Sequence, residues 1–393
     1  MGKTLAYVLP IMQQLKHQEM FESYERRPKR PRVIILAPTR ELAIQITAVM
    51  KSLSHSVKLS TQALVGGVDK GSQRKALENR PVDVVVATPG RLLQQWKDGN
   101  LFLGSVQTII IDEMDTMLEQ GFQRELREIM YPLLLHGTNG PSGNDKFDKQ
   151  KQEQDRNQKL KFPPMKIIST PGLHKAVPRL EQVFVDVGNT DKISLLLDVI
   201  ASQRAKATIV FCNTASAVRA TQYALAEARI ESLGYHGDLN SNTRSENLKK
   251  FRKIASDDSK KVDNFDNNNI LVCTDLASRG LDIPQVDSVV MFDFPLNAMD
   301  YLHRSGRTAR GVGKGRVTAL VAKRDKVLAT GIEQAVLRGE TLDGISSRKS
   351  DYKPGARFSV KPKKTQNTTK KNDRRSLSDR KKDRPSSSNR KNA

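Results

Sequence analysis

Cysteine is nearly absent. Cys212 and Cys273 are the whole complement of 393 residues, each set inside an apolar run (Ile209-Val210-Phe211-Cys212 and Ile270-Leu271-Val272-Cys273). They offer no disulfide framework and no metal-ligand spacing, so they read as buried strand thiols suited to a reducing compartment, and a small disulfide-stapled domain is excluded. Long apolar runs are missing as well. None approaches the roughly 20 consecutive residues a membrane-spanning helix needs, so neither such a span nor a membrane partner is expected. Acidic residues are in short supply: 43 Asp plus Glu stand against 66 Lys plus Arg, for a net charge of +23. Residues 346–393 alone hold 17 basic and 4 acidic side chains, so a tail of 48 residues carries +13 and the remaining chain +10. That balance favours a polyanionic partner, with nucleic acid ahead of an acidic surface. The tail, rich in Lys, Arg, Ser and Asn, is expected to be disordered.

What is present is alternation. Short β-branched runs trade places with longer helical patterns, the signature of parallel sheets covered by helices, and the length suits two or three domains. Strand candidates are Val33–Leu36, Val82–Ala87, Thr108–Ile111 and Lys166–Ser169, then Gln182–Val187, Thr208–Cys212, Glu231–Tyr235, Ile270–Thr274, Ser288–Phe292 and Arg316–Val321. Helical spacing fills Arg40–Leu53, Asp191–Ser202, Thr214–Ala228 and Ser241–Ile254. Two α/β domains follow, residues 1–174 and 175–345, joined near His174–Leu180 and trailed by the tail 346–393. The polar stretches 137–160 and 255–269 read as surface excursions with too little apolar surface to order themselves.

Three clusters carry chemistry. Met1-Gly2-Lys3-Thr4 ahead of Leu5-Ala6-Tyr7-Val8-Leu9 has the form of a phosphate-cradling loop running into its helix, although a bare Gly-Lys-Thr is commonly coincidence. Thr108-Ile109-Ile110-Ile111 ends in Asp112-Glu113-Met114-Asp115, at the strand end where such folds place ligands. Asp112 can hold Mg²⁺ and Glu113 can deprotonate a water; the bland alternative is a solvated acidic turn opening a helix. In His303-Arg304-Ser305-Gly306-Arg307-Thr308-Ala309-Arg310, the arginines at 307 and 310 share a helical face and can reach one anion together. An ordinary basic surface helix is the alternative, and the interior glycine argues against it.

With those residues in view, the chain resembles the DEAD-box ATP-dependent RNA helicases, with motifs in family order from residue 2 to about residue 310. Pro38-Thr39-Arg40-Glu41-Leu42-Ala43, Gly66-Gly67, Thr88-Pro89-Gly90-Arg91, Phe211-Cys212-Asn213-Thr214, His236-Gly237-Asp238 with Arg244, Cys273 to Asp282 and Tyr301 to Arg310 all match. The resemblance implies tandem RecA-like domains, ATP and Mg²⁺ as cofactors, and RNA as partner. It gives Gly2, Lys3 and Thr4 to the phosphates, Asp112 and Thr4 to the metal, Glu113 to the water, Asp282 to the ribose, and Arg307 and Arg310 to the γ-phosphate. Thr39, Arg40, Gly67, Thr88, Arg91 and Thr274 fall to the RNA backbone, a kind of contact that holds RNA without reading its sequence.

The chain departs from the pattern in three places. The family's glutamine motif, first strand and loop glycines have no counterpart before Met1, so the first domain is read as N-terminally truncated, with a gap in its sheet. Met114 replaces the family's alanine. Ser169-Thr170-Pro171 is read as following the family's Ser-Ala-Thr rather than supplying it. Ile168 to Lys175 resembles fungal mitochondrial members that serve large-ribosomal-subunit assembly. That implies rRNA and assembly proteins as partners of a monomer in the mitochondrial matrix, with the nucleolus or cytoplasm as the alternative. The alternative function is an ATP-independent RNA-binding or annealing protein on the same scaffold.

Overall fold

The computed structural model describes residues 2–21, 25–135, 166–170, 172–177, 179–203, 205–256, 269–275, 283, 286–309 and 313–352. Asp282, Arg310, the polar excursion 137–160, residues 257–268 of the other, and the tail beyond residue 352 lie outside the described residues.

The first lobe runs α1 (Gly2–Phe21), β1 (Val33–Leu36), α2 (Arg40–Val57), β2 (Thr61–Leu64), α3 (Lys70–Glu78), β3 (Val84–Ala87), α4 (Pro89–Lys97), β4 (Thr108–Ile111), α5 (Met114–Glu119) and α6 (Gln123–Leu135). Its strands pair in parallel in the order β2-β3-β1-β4. The runs Val-Ile-Ile-Leu of β1 and Val-Val-Val-Ala of β3 are buried at every position. Such two-sided burial is what a sheet covered by helices on both faces demands. Alternate residues accordingly feed two cores. Val33 and Ile35 pack with Val8, Leu15, Ile46 and Met50, whereas Ile34 and Leu36 pack with Leu92, Trp96, Met117 and Ile129. The expected gap inside this sheet is not found: the four strands pair without interruption, and the edge falls at β4, whose isoleucines are half-buried. The strand expected at Lys166–Ser169 is also corrected. Residues 166–170 are irregular, and Ile167 and Ile168, with no ladder to join, stand 89% and 80% exposed.

The second lobe comprises β5 (Leu180–Asp186), α7 (Lys192–Ser202), β6 (Thr208–Phe211), α8 (Ala215–Glu227), β7 (Leu233–Tyr235), α9 (Ser241–Ser256), β8 (Ile270–Cys273), β9 (Ser288–Met291), α10 (Ala298–Ser305), β10 (Gly315–Val321) and α11 (Lys326–Leu337). Its six strands are parallel in the order β5-β10-β9-β6-β8-β7. Asp191 and Thr214 cap α7 and α8, accepting from the Ser194 and Ala217 amides, so the residues read as helix starts are the caps themselves. Cys212 and Cys273 belong to cores on opposite faces of the sheet. Burial pushes the Cys212 thiol up to about 12 and raises Cys273 well above the ordinary range, so both are inert.

One buried ionic knot closes the end of the first sheet where its strands begin. Arg32, 1% exposed, reaches Asp83 at 2.7 Å, Glu19 at 2.6 Å and the Leu15 carbonyl at 3.2 Å. Asp83, itself 2% exposed, also takes Arg26 at 2.9 Å and the Ser60 amide at 2.8 Å. A buried pair gives little net stability, yet removing one partner strands the other charge. Asp83→Ala is therefore expected to cost about 3–5 kcal/mol. Chemical denaturation followed by fluorescence of Trp96, the single tryptophan and part of this lobe's core, measures it.

Candidate functional site

In parallel sheets, ligands gather beyond the carboxyl ends of the strands. Those ends are where the sequence-selected residues fall: Thr39 and Arg40 after β1, Gly66 and Gly67 after β2, Thr88 after β3, Asp112 and Glu113 after β4, and in the second lobe Thr274 after β8.

The acid pole is the more constrained. Asp112 accepts a hydrogen bond from the Tyr7 hydroxyl at 2.9 Å. Tyr7 stands one helical turn beyond Thr4, and its own ionisation is pushed far up by burial and by the Asp112 charge. Glu113 takes a left-handed backbone with φ 51°, an unusual conformation for a residue with a side chain, and there opens α5. Burial raises its pKa above the ordinary carboxylate range and the neighbouring Asp112 raises it further, while Lys3 and Arg307 pull it down. Arg307 acts electrostatically on Glu113 from the second lobe. Two contacts bridge the lobes: Arg244 meets Glu41 at 3.1 Å, and His303 lies 3.9 Å from Asp115.

Beside this pole lies a cavity of about 380 Å³ whose lining includes Pro38, Arg40, Gly67 and Thr88 from the first lobe and Ser241 and Arg244 from the second. Arg40 donates to the Gly67 carbonyl at 3.2 Å, and a Cβ built on Gly67, whose φ is 69°, would come 2.6 Å from the same Arg40 nitrogen. Conformation favours glycine there, and an added Cβ would displace the Arg40 guanidinium. The Thr39 hydroxyl caps α2, accepting from the Leu42 amide at 3.2 Å, whereas Thr88 makes no such cap bond to α4. Arg91 holds one buried guanidinium nitrogen with no hydrogen-bond partner, and Thr274 donates its amide to the Tyr235 carbonyl at 3.2 Å. Gly2 and Lys3 are exposed in the first turn of α1, and Thr4 beside them is buried.

Two residues of the site escaped sequence reasoning. Tyr7 did so because its partner lies 105 positions away. Arg304 stood in plain view within the arginine-rich motif, yet it has no exposure at all and knits three strand ends together. It holds Asp275 through two bonds of 2.6 and 2.7 Å, Asn213 at 2.7 Å and the Asp293 carbonyl at 2.7 Å. Arg304 is thus the platform of the motif; Arg307 lies beyond the end of α10, so the helical face expected to carry residues 307 and 310 does not extend to it.

Among the described residues no cluster of three or more His, Cys, Asp and Glu could cage a metal. Mg²⁺ needs no such cage when one carboxylate and phosphate oxygens share it with water, and Asp112 with Thr4 suits that donor set.

Two parallel sheets whose carboxyl ends share one cleft define the class of tandem RecA-like proteins. Residues 1–142 match the model of the DEAD/DEAH box helicase domain, and residues 191–312 that of the helicase conserved C-terminal domain. DEAD-box ATP-dependent RNA helicase 39 of Arabidopsis thaliana is 40% identical over 354 residues, covering 88% of this chain and 55% of its own length. Mouse probable ATP-dependent RNA helicase DDX28 is 33% identical over 384 residues, covering 90% of this chain and 67% of its own. Among solved structures, Mss116p bound to single-stranded RNA and AMP-PNP superposes with a TM-score of 0.68 at 26% identity, over 86% of this chain and 67% of that one. The chain belongs to the DEAD-box ATP-dependent RNA helicase family, and it spans 55% of the Arabidopsis relative.

Because Glu113 keeps its proton longer folded than unfolded, the native state loses stability as pH rises through the folded pKa. Glu113→Gln does not titrate. Its melting midpoint should match the parent near pH 4 and exceed it by a few degrees at pH 8, as differential scanning calorimetry across that range would show.

Proposed function

We propose that the chain is an RNA-stimulated ATPase that couples ATP hydrolysis to local opening of RNA duplexes. The observation that carries this reading is Glu113, buried beside Asp112 and acted on by Lys3 from one lobe and Arg307 from the other. A carboxylate with a raised pKa is the better base toward water, and the flanking cations oppose the rise. Gly2, Lys3 and Thr4 would take the phosphates, Arg307 and Arg310 the charge that develops on the γ-phosphoryl group, and Asp282 the ribose. Mg²⁺, when bound at Asp112 and Thr4, would supply charge neutralisation between the phosphates.

Thr39, Arg40, Gly67, Thr88, Arg91 and Thr274 would hold one RNA strand by its backbone. The cavity shared by Arg40 and Arg244 supports this assignment, because its walls come from both lobes. A strand gripped there is bound tightly only while the lobes stay together, and the same approach brings Arg307 to Glu113. Hydrolysis and grip are linked through one rigid-body movement. The domain limits 1–174, 175–345 and 346–393 belong to this proposal, as do a monomeric state, rRNA and ribosomal assembly proteins as partners, and the mitochondrial matrix. The last three rest on the resemblance of Ile168–Lys175 and on a net charge of +23.

Phosphate release measured with and without RNA tests the reading. Arg307→Ala should lower the RNA-stimulated rate by about 10³ to 10⁵, the range for removal of an arginine finger, with RNA still bound. RNA binding with no phosphate release in the parent would favour an ATP-independent annealing protein instead. Gly67→Ala should act on the other half. Displacing Arg40 forfeits a charged hydrogen bond and should weaken RNA binding ~10-fold, with basal phosphate release unchanged. Fluorescence anisotropy with a labelled strand reads the first effect.

A further inference from the structure

The first lobe carries a second cationic site at the opposite end of its sheet. Thr61 begins β2, Arg80 and Pro81 precede β3, and Arg26 precedes β1, so all lie at strand starts, away from the cleft. Together with Lys51, Lys58 and Ser60 they line a cavity of about 430 Å³ in which none of the lining side chains is acidic. Arg26 is neutralised by Asp83 beneath it. Lys51, Lys58 and Arg80 pair with no acid among the described residues, and Lys58 is held in the left-handed region at φ 50°. The floor adds an independent sign. Thr61 is only 5% exposed, and its hydroxyl has no hydrogen-bond partner. A hydroxyl left unpaired at the base of the cavity is a donor that a ligand oxygen would satisfy.

We infer that this cavity binds RNA backbone phosphate, from the part of a strand that extends beyond the cleft. Guanidinium and ammonium groups around a hydroxyl donor suit a phosphodiester. An acidic peptide would meet the same charges, but the RNA proposed for the cleft of the same lobe already supplies a polyanion whose free ends can reach the cavity. The 18 residues of α2 join the two sites, Arg40 at the cleft and Lys58 just past the far end, over about 27 Å. A strand that only fills the cleft cannot touch the cavity, whereas a longer one can pass round the lobe to it. The inference rests on the proposed RNA binding, and adds a contact that should count in proportion to RNA length.

The test compares the full chain with the triple variant Lys51→Gln, Lys58→Gln, Arg80→Gln and, separately, with Thr61→Val. Affinity is measured against salt on two RNAs, one just long enough to fill the cleft and one several times longer. The basic tail contributes equally to parent and variants, so it cancels in the comparison. The triple variant should flatten the salt slope on the long RNA by about 2, three lost phosphate contacts at ~0.7 each, and leave the short RNA unchanged. Thr61→Val should weaken the long RNA alone, several-fold. An unchanged slope on the long RNA overturns the inference, and so does an equal loss on both RNAs, which would mark a diffuse field. Loss of polyglutamate binding with the long-RNA slope intact would assign the cavity to an acidic protein and overturn it too. If the parent binds RNA but releases no phosphate, the ATPase reading fails while the contrast between long and short RNA still decides the cavity.

Discussion

Two carboxylates leave the end of one half-buried strand side by side, and much of the site follows from that crowding. Neighbouring like charges in a part-desolvated setting resist joint ionisation, so one pKa must rise unless cations oppose it. Asp112 has the Tyr7 hydroxyl as donor, whereas Glu113 bears the raised pKa. The cations that oppose the rise come from different lobes, Lys3 from the first and Arg307 from the second. Under the proposed function, separating the lobes would withdraw one of the two cations that hold the Glu113 pKa down, without any change in the first lobe itself.

Such a device needs Arg307 to arrive on something stiff. Arg304, buried three positions earlier, spans Asp275, Asn213 and Asp293 and so locks the ends of β8, β6 and β9 beneath the motif. Lys192 adds a bond of 2.6 Å to Asp293 from the side. The first lobe places its comparable knot, Arg32 with Asp83 and Glu19, at the far end of the sheet, where the strands start. One lobe is thus anchored at the cleft and the other away from it. The first lobe's cleft-side contacts are left to lighter devices: the Thr39 cap, the Tyr7 bond and the Arg40 bond to Gly67.

The sheets were legible wherever burial on both faces forced unbroken β-branched runs, as in Val33–Leu36, Val84–Ala87 and Ile270–Cys273. β2, Thr-Gln-Ala-Leu at an edge, mixes polar and apolar residues and gave no such sign. Lys166–Ser169 gave a false one, since two isoleucines imitate a strand without a neighbouring edge to complete the ladder. Among the functional residues, those in contiguous motifs could be read directly. Tyr7 could not, and neither could the second cavity, because residues 26, 51, 58, 61 and 80 become neighbours only after the sheet is assembled.

Charge compensation separates the two anion-facing regions of the first lobe. In the cleft several cations have an acid in reach: Arg244 has Glu41, Arg304 has Asp275, and Lys3 and Arg307 share the field of Glu113, whereas Arg40 donates to the Gly67 carbonyl. A phosphate approaching one of the paired cations must compete with a carboxylate, so binding there is conditional on geometry. Lys51, Lys58 and Arg80 face no such competitor, and their attraction for a polyanion is unconditional and screened only by salt. On the proposed function this contrast divides the labour: the compensated end would be gated by nucleotide, while the uncompensated end would hold RNA through the part of the cycle in which the cleft lets go.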